Sequence, residues 1–166
     1  MNANLLLFEE FDDTDYIKIF FDSKTGGFVV AHKQHGKNEF ETNRVIALLL
    51  AKGEYRVILL SNMIDIPTPD ASINDEMWEF KTISQATNLK NRVQLDIKKG
   101  KRQAANILIF IAQRYNIEDI RAGIYNAVKF DDKEKIQKIG ILFQDGRLII
   151  VERFEVIDKS YRTKFY

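Results

Sequence analysis

Asp70, Glu79 and Lys81 are the residues of this sequence whose types and spacing fit a definite chemistry. Two carboxylates can hold a hard divalent ion such as Mg²⁺ or Mn²⁺ that keeps some of its waters. A neighbouring lysine can orient a water or stabilise charge developing on a phosphoryl group. Phosphodiester hydrolysis asks for that combination. The remaining inventory excludes several other chemistries. With no cysteine and only His32 and His35 as imidazoles, thiolate zinc sites, cysteine nucleophiles and a three-histidine centre are ruled out. Thr82, Ser84 and Tyr161 have no partner histidine in a nucleophile arrangement, and Gly26-Gly27 lacks the rest of a phosphate-binding loop.

A hairpin would position the three residues. Asn74-Asp75 tolerates the positive φ of a two-residue turn, which sets the register: Ile73 opposite Glu76, Ser72 opposite Met77, Ala71 opposite Trp78, and Asp70 opposite Glu79. Directly opposed residues share a face, with Cβ atoms about 5 Å apart. Alternation puts Glu79 and Lys81 on one side of the strand and Trp78 and Phe80 on the other, where the aromatics can join a core. A turn one residue longer would set Asp70 against Phe80 and dismantle the arrangement. The competing reading of the same pattern is an exposed hairpin whose charges face solvent.

The surrounding elements read as strand 16–21 and strand 28–32 in an N-terminal hairpin, and a helix capped by Asn38 and ended by Gly53. A buried strand follows over 55–60, then the 70–81 hairpin, and a helical stretch 84–105 bent near Gly100. A second apolar strand at 106–112 and a helix over 117–129 lead to a C-terminal hairpin over 138–154 around Asp145-Gly146. This predicts an α/β (α+β) domain: a mixed central sheet flanked by helices, with N- and C-terminal β-hairpins. A length of 166 residues suits one domain over 1–166, with a core at 38–112 and hairpins at 16–32 and 138–154. The start of the chain, where acids follow Leu5 to Phe8 at once, reads as neither a signal peptide nor a membrane span, and a soluble protein is expected.

The net charge of +1 conceals an asymmetry. Residues 1–80 carry 7 Lys and Arg against 14 Asp and Glu, and residues 81–166 carry 18 against 10. Lys90, Arg92, Lys98, Lys99, Lys101 and Arg102 stand against one acid, Asp96, as on a phosphate-binding surface or a solvated helix face.

In this context the pattern resembles the PD-(D/E)xK nucleases: an acid early in the first helix (Glu39 or Glu41), Pro69-Asp70, Glu79-Phe80-Lys81, then a helix with polar residues toward the site. Within that superfamily it is most similar to the C-terminal transfer-RNA nuclease toxin domains of contact-dependent growth inhibition systems. Leu50 to Val57, Pro69-Asp70 running into Met77 to Lys81, and Lys101 to Asn106 carry the likeness. The resemblance implies that Asp70 and Glu79 are metal ligands, Lys81 the catalytic lysine and Gln103 a helix residue near the substrate. Lys98, Lys99, Lys101 and Arg102 are the candidates for nucleic-acid contact. It also implies Mg²⁺ or Mn²⁺, transfer RNA ahead of DNA as substrate, an immunity protein over the site, and action in a bacterial cytoplasm. Helical spacing groups Glu39 with Asn43, Ile46 and Leu50, and Glu41 with Val45, Leu48 and Lys52. The sequence does not choose between the stripes, although Glu39, nearest the helix start, is slightly favoured. The rival reading is a nuclease-like module that binds nucleic acid or protein without turnover.

Overall fold

A computed structural model describes residues 2–166, and its contacts gather into two compact units that divide between Trp78 and Glu79. In the first, a short helix α1 (Ala3–Glu10) precedes the antiparallel strands β1 (Tyr16–Phe21) and β2 (Phe28–His32). Asp22 shapes their turn by accepting from the Lys24 and Thr25 amides, and Gly26 takes a positive φ. Helix α2 (Lys37–Lys52) crosses over to β3 (Arg56–Leu59), which runs parallel to β2. Its C-terminal turn lies so close to the hairpin that a Cβ on Gly27 would stand 1.8 Å from the Ala51 carbonyl oxygen. Only glycine allows that approach.

Strand β4 (Ala71–Ile73) then pairs antiparallel with β3 and with the first residues of β5 (Glu76–Ile83), giving the order β1-β2-β3-β4-β5. Asn74 and Asp75 both adopt positive φ, 46° and 72°, and the register is Ile73–Glu76, Ser72–Met77 and Ala71–Trp78, as the two-residue turn requires. The Asn74 side chain also accepts from the Arg56 amide at 2.9 Å, tying the turn to β3.

In the second unit the end of β5 is followed by α3 (Leu89–Gly100), β6 (Asn106–Ile111), α4 (Ile117–Lys129), β7 (Lys138–Phe143) and β8 (Leu148–Glu152), in the sheet order β5-β6-β7-β8. Strands β6 and β7 are parallel, with α4 between them in sequence, and β7 turns back into β8 at Asp145-Gly146. Apolar residues from one face of the sheet (Ile107, Ile109, Ile139, Ile141) meet those of α3 and α4 (Val93, Ile97, Ile120, Ile124) in a continuous core. Gly123 lets the two helices touch, since a Cβ there would sit 2.7 Å from the Lys90 carbonyl oxygen. A helix α5 (Arg153–Ile157) and a 3₁₀ turn (Ser160–Phe165) close the chain, Tyr161 and Phe165 packing into the same core.

The expected mixed sheet with helices on it and hairpins near each end is observed. Several boundaries move. Helix α2 starts at Lys37 after Gly36, so Asn38 is inside it rather than its cap. Helix α3 occupies 89–100 rather than 84–105, because Asn88 caps it by accepting from the Asn91 amide and Gly100 ends it. The last strand stops at Glu152, where a capping box between Glu152 and Glu155 starts α5. Helices α1 and α5 and the 3₁₀ turn were not anticipated.

Candidate active site

Asp70 lies in the first unit, immediately before β4. Its carbonyl accepts from the Leu60 amide at 2.9 Å, and the residue is only 5% exposed. Among the described residues the ladder Val57–Ile73, Ile58–Ser72, Leu59–Ala71 thus continues by one backbone bond, setting Asp70 beside the residue that follows β3.

Helix α2 turns Asn43, Ile46, Ala47, Leu50 and Ala51 inward. The stripe that includes Glu39 is therefore the core-facing one, and Glu39 stands at its open N-terminal end. Glu41 points elsewhere and pairs with Arg44 at 3.0 Å, its side chain 75% exposed. His35 is buried, with Nδ1 2.6 Å from the Leu60 carbonyl and Nε2 3.0 Å from the Asn43 amide nitrogen. Both contacts are satisfied by a neutral ring donating from Nδ1 and accepting at Nε2, so His35 joins α2 to β3 and has no lone pair left for a metal.

In the second unit Glu79 and Lys81 come together as the alternation along β5 demands, the ammonium donating to Oε1 at 2.6 Å. Glu79 is 2% exposed, and Trp78 and Phe80 on either side of it are buried as well. This decides against a hairpin whose charges face solvent. Burying a carboxylate is costly unless it is paired or bound, and here Lys81, its side chain 26% exposed, supplies a charge. Gly100 lies against the stem of the same side chain, because a Cβ on it would be 3.5 Å from Glu79 Cγ and 3.0 Å from two carbons of Ile107. A larger residue at that position would press on Ile107, so glycine eases the close approach of the end of α3 to β5 and β6.

Gln103 is not on a helix. It sits in the turn that follows α3, its amide bonded to the Gly100 carbonyl at 2.9 Å. The basic segment is divided in use. Lys101 donates to Asp131 at 3.0 Å and Arg92 to Asp96 at 2.9 Å, both acids buried. Among the described residues Lys98, Lys99 and Arg102 are exposed without a carboxylate partner. No helix among the described residues is long and apolar enough to cross a membrane.

No three or more His, Asp or Glu side chains among the described residues gather as a metal cage. The donors that Asp70 offers in the first unit and Glu79 in the second are carboxylate oxygens, the donor type a hard divalent ion prefers.

Residues 67–148 match the family model described as the contact-dependent growth inhibition CdiA C-terminal domain. The match spans 82 of the chain's 166 residues, just under half of it. The matched stretch contains Asp70, Glu79, Lys81 and the segment from Lys98 to Gln103, and leaves α2 outside. A solved structure, a chain of the CdiA-CT/CdiI toxin and immunity complex from Burkholderia pseudomallei, is similar in fold: the TM-score is 0.51 and the identity 15%, over 69% of this chain and 85% of that one. A search of curated proteins gives no match. The CdiA C-terminal likeness expected from the sequence is thus found both in a family model and in a fold.

Proposed function

We propose that this CdiA C-terminal domain is a toxin that acts as a divalent-metal-dependent nuclease of the PD-(D/E)xK type, with transfer RNA as its substrate. The observation that carries the reading is the buried Glu79 carboxylate held by Lys81, an arrangement that a solvent-facing hairpin does not need and phosphodiester cleavage does.

Asp70 and Glu79 would hold Mg²⁺ or Mn²⁺, and Glu39 is the helix acid that the fold leaves available. The ion, when bound, supplies Lewis-acid polarisation and a more acidic water. Lys81 has the reach and charge to orient a water and to stabilise a phosphoryl group gaining charge. Its partial burial strengthens that field relative to an exposed lysine. The Glu79 contact holds the ammonium in place. Lys98, Lys99 and Arg102 would meet substrate phosphates. By analogy with the toxin and immunity complex, an immunity protein is the expected partner.

Purified chain should cut total transfer RNA in Mg²⁺ or Mn²⁺ and not in EDTA, and Asp70→Asn should not cut. Cleavage of plasmid DNA but not RNA would move the substrate to DNA. Salt-sensitive binding without cutting of either polymer would instead make the domain a binding module.

The division of the basic segment has its own test. Replacing Lys98 and Lys99 with glutamine should flatten the salt dependence of RNA binding, by roughly 0.7–0.9 in log–log slope per lost phosphate contact, without shifting the melting temperature. Lys101→Gln should do the reverse, lowering the melting temperature because it strips a charge from buried Asp131.

A further inference from the structure

The first unit carries a cleft that none of the residues discussed above explains. It has a volume of about 240 Å³ and is lined by Ile17, His32, Lys33, His35, Lys37 and Phe40. Its position follows from the ladder. Ala31, Leu59 and Ala71 are neighbours across β2, β3 and β4, so the next row is His32, Leu60 and Asp70, a step the Leu60–Asp70 backbone bond continues. With strands about 4.8 Å apart, His32 stands roughly 10 Å from Asp70 at the same sheet end. This is where the parallel strands β2 and β3 finish and ligands of open α/β sheets bind. Glu39 lies between Lys37 and Phe40 on the first turn of α2.

The lining has two kinds of surface. Lys33 and Lys37 are exposed and, among the described residues, neither has a carboxylate partner. Lys33 is steadied by donating to the Asp13 carbonyl, which leaves further ammonium hydrogens for a ligand. His32 accepts from the Gln34 amide at Nδ1, so its neutral ring carries the proton at Nε2 and offers a donor there. Phe40 and the 45% exposed Ile17 present apolar surface. Three cationic or donor groups beside an aromatic face suit a phosphodiester attached to a base. Their presence in a half of the chain with 14 acids against 7 bases argues against a merely solubilising role. The volume is below the ~300–1,000 Å³ usual for drug-sized ligands, room for one base and not for a duplex.

We propose that this cleft is a subsite for an unpaired nucleotide of the substrate strand, with Lys33, Lys37 and His32 on its phosphate and Phe40 against its base. The proposal takes its place on the substrate from the nuclease reading above, but the binding is measured apart from cleavage. Fluorescence anisotropy in EDTA would follow a labelled single-stranded RNA oligonucleotide, and the same oligonucleotide annealed to its complement, on wild-type protein and on three variants: Lys33→Gln with Lys37→Gln, Phe40→Leu, and Lys52→Gln as a distant control.

The double variant should bind the single strand about tenfold more weakly, with a salt slope reduced by ~1.4. Phe40→Leu should lose about fivefold on the single strand and nothing on the duplex. The control should match wild type. Unchanged affinity in the double variant, equal loss in the control, or equal loss on duplex and single strand for Phe40→Leu would each overturn the assignment. Metal-dependent cutting by wild type together with unchanged binding in the variants removes the subsite and leaves the nuclease. Weakened binding in the variants with no cutting by wild type removes the nuclease and leaves the subsite.

Discussion

Glu79→Gln is expected to lower metal-dependent cleavage by at least about 10³-fold while leaving the melting temperature within a few degrees of wild type. The two effects have different origins. Activity falls because an amide is a poor ligand for a hard cation and carries no charge to hold the lysine. Stability holds because the substitution removes a buried charge, and its former partner Lys81 is 26% exposed and can turn its ammonium to water. Lys81→Met should also inactivate, yet it should destabilise by about 1–3 kcal/mol, because Glu79 then keeps its charge in a 2% exposed position without the ammonium. Thermal melts and cleavage rates of the two variants side by side check the asymmetry. Equal loss of stability in both would mean that the pair serves the fold rather than catalysis.

Asp131→Asn is expected to cost about 3–5 kcal/mol, a large share of the 5–15 kcal/mol typical of a folded domain. The Asp131 side chain is fully buried, and its oxygens accept from Lys101 at 3.0 Å, from Arg153 at 2.8 Å and from the Ile136 amide at 2.8 Å. Arg153 also donates to the carbonyls of Asp131 and Ile136, so one acid fastens the α3 exit, the turn after α4 and the start of α5.

Burial pushes the Asp131 carboxyl up, but the Ile136 amide and the Lys101 and Arg153 bonds outweigh it and hold it below the usual 3.8. A group with a lowered folded value stabilises fully above its unfolded value and loses that contribution as pH falls through the folded one. The wild-type melting temperature should therefore drop below about pH 4 partly through this residue, and Asp131→Asn should show a shallower decline over the same window. Parallel acid titrations of the two melts would reveal it, and coincident slopes would count against the assignment.

Local rules made the centre of the chain legible. Asn74-Asp75 specified a turn, the turn specified a register, and the three ladder pairs follow it. Helix α4 runs over the anticipated 117–129 because Asn116 caps it by accepting from the Glu118 amide. Helix α1 escaped because Leu5, Leu6, Leu7 and Phe8 are consecutive rather than spaced on one stripe. Phe8 instead finds its place through tertiary contact, 5.5 Å from the Phe21 ring and 5.6 Å from Phe28. Residues 84–88 were read into α3 on composition, which does not register that Asn88 is a cap.

At the candidate site, residue types and spacing pointed to Glu79 and Lys81, but alternation alone would have left Glu79 on an open face. Its burial depends on α3 arriving at Gly100, information held by residues twenty positions away. Lys101 looked equivalent to Lys98 and Lys99 because its partner, Asp131, is thirty residues further on.

The family likeness stops at residue 148, and Arg153 lies beyond it. Asp131 therefore falls inside the shared stretch while one of its two cationic partners does not. Positions 131 and 153 should accordingly covary: a relative that ends its last strand differently has to recruit another cation for Asp131 or abandon the acid for an apolar residue. An arginine retained at 153 beside an apolar 131 would be left half-buried without its counter-charge.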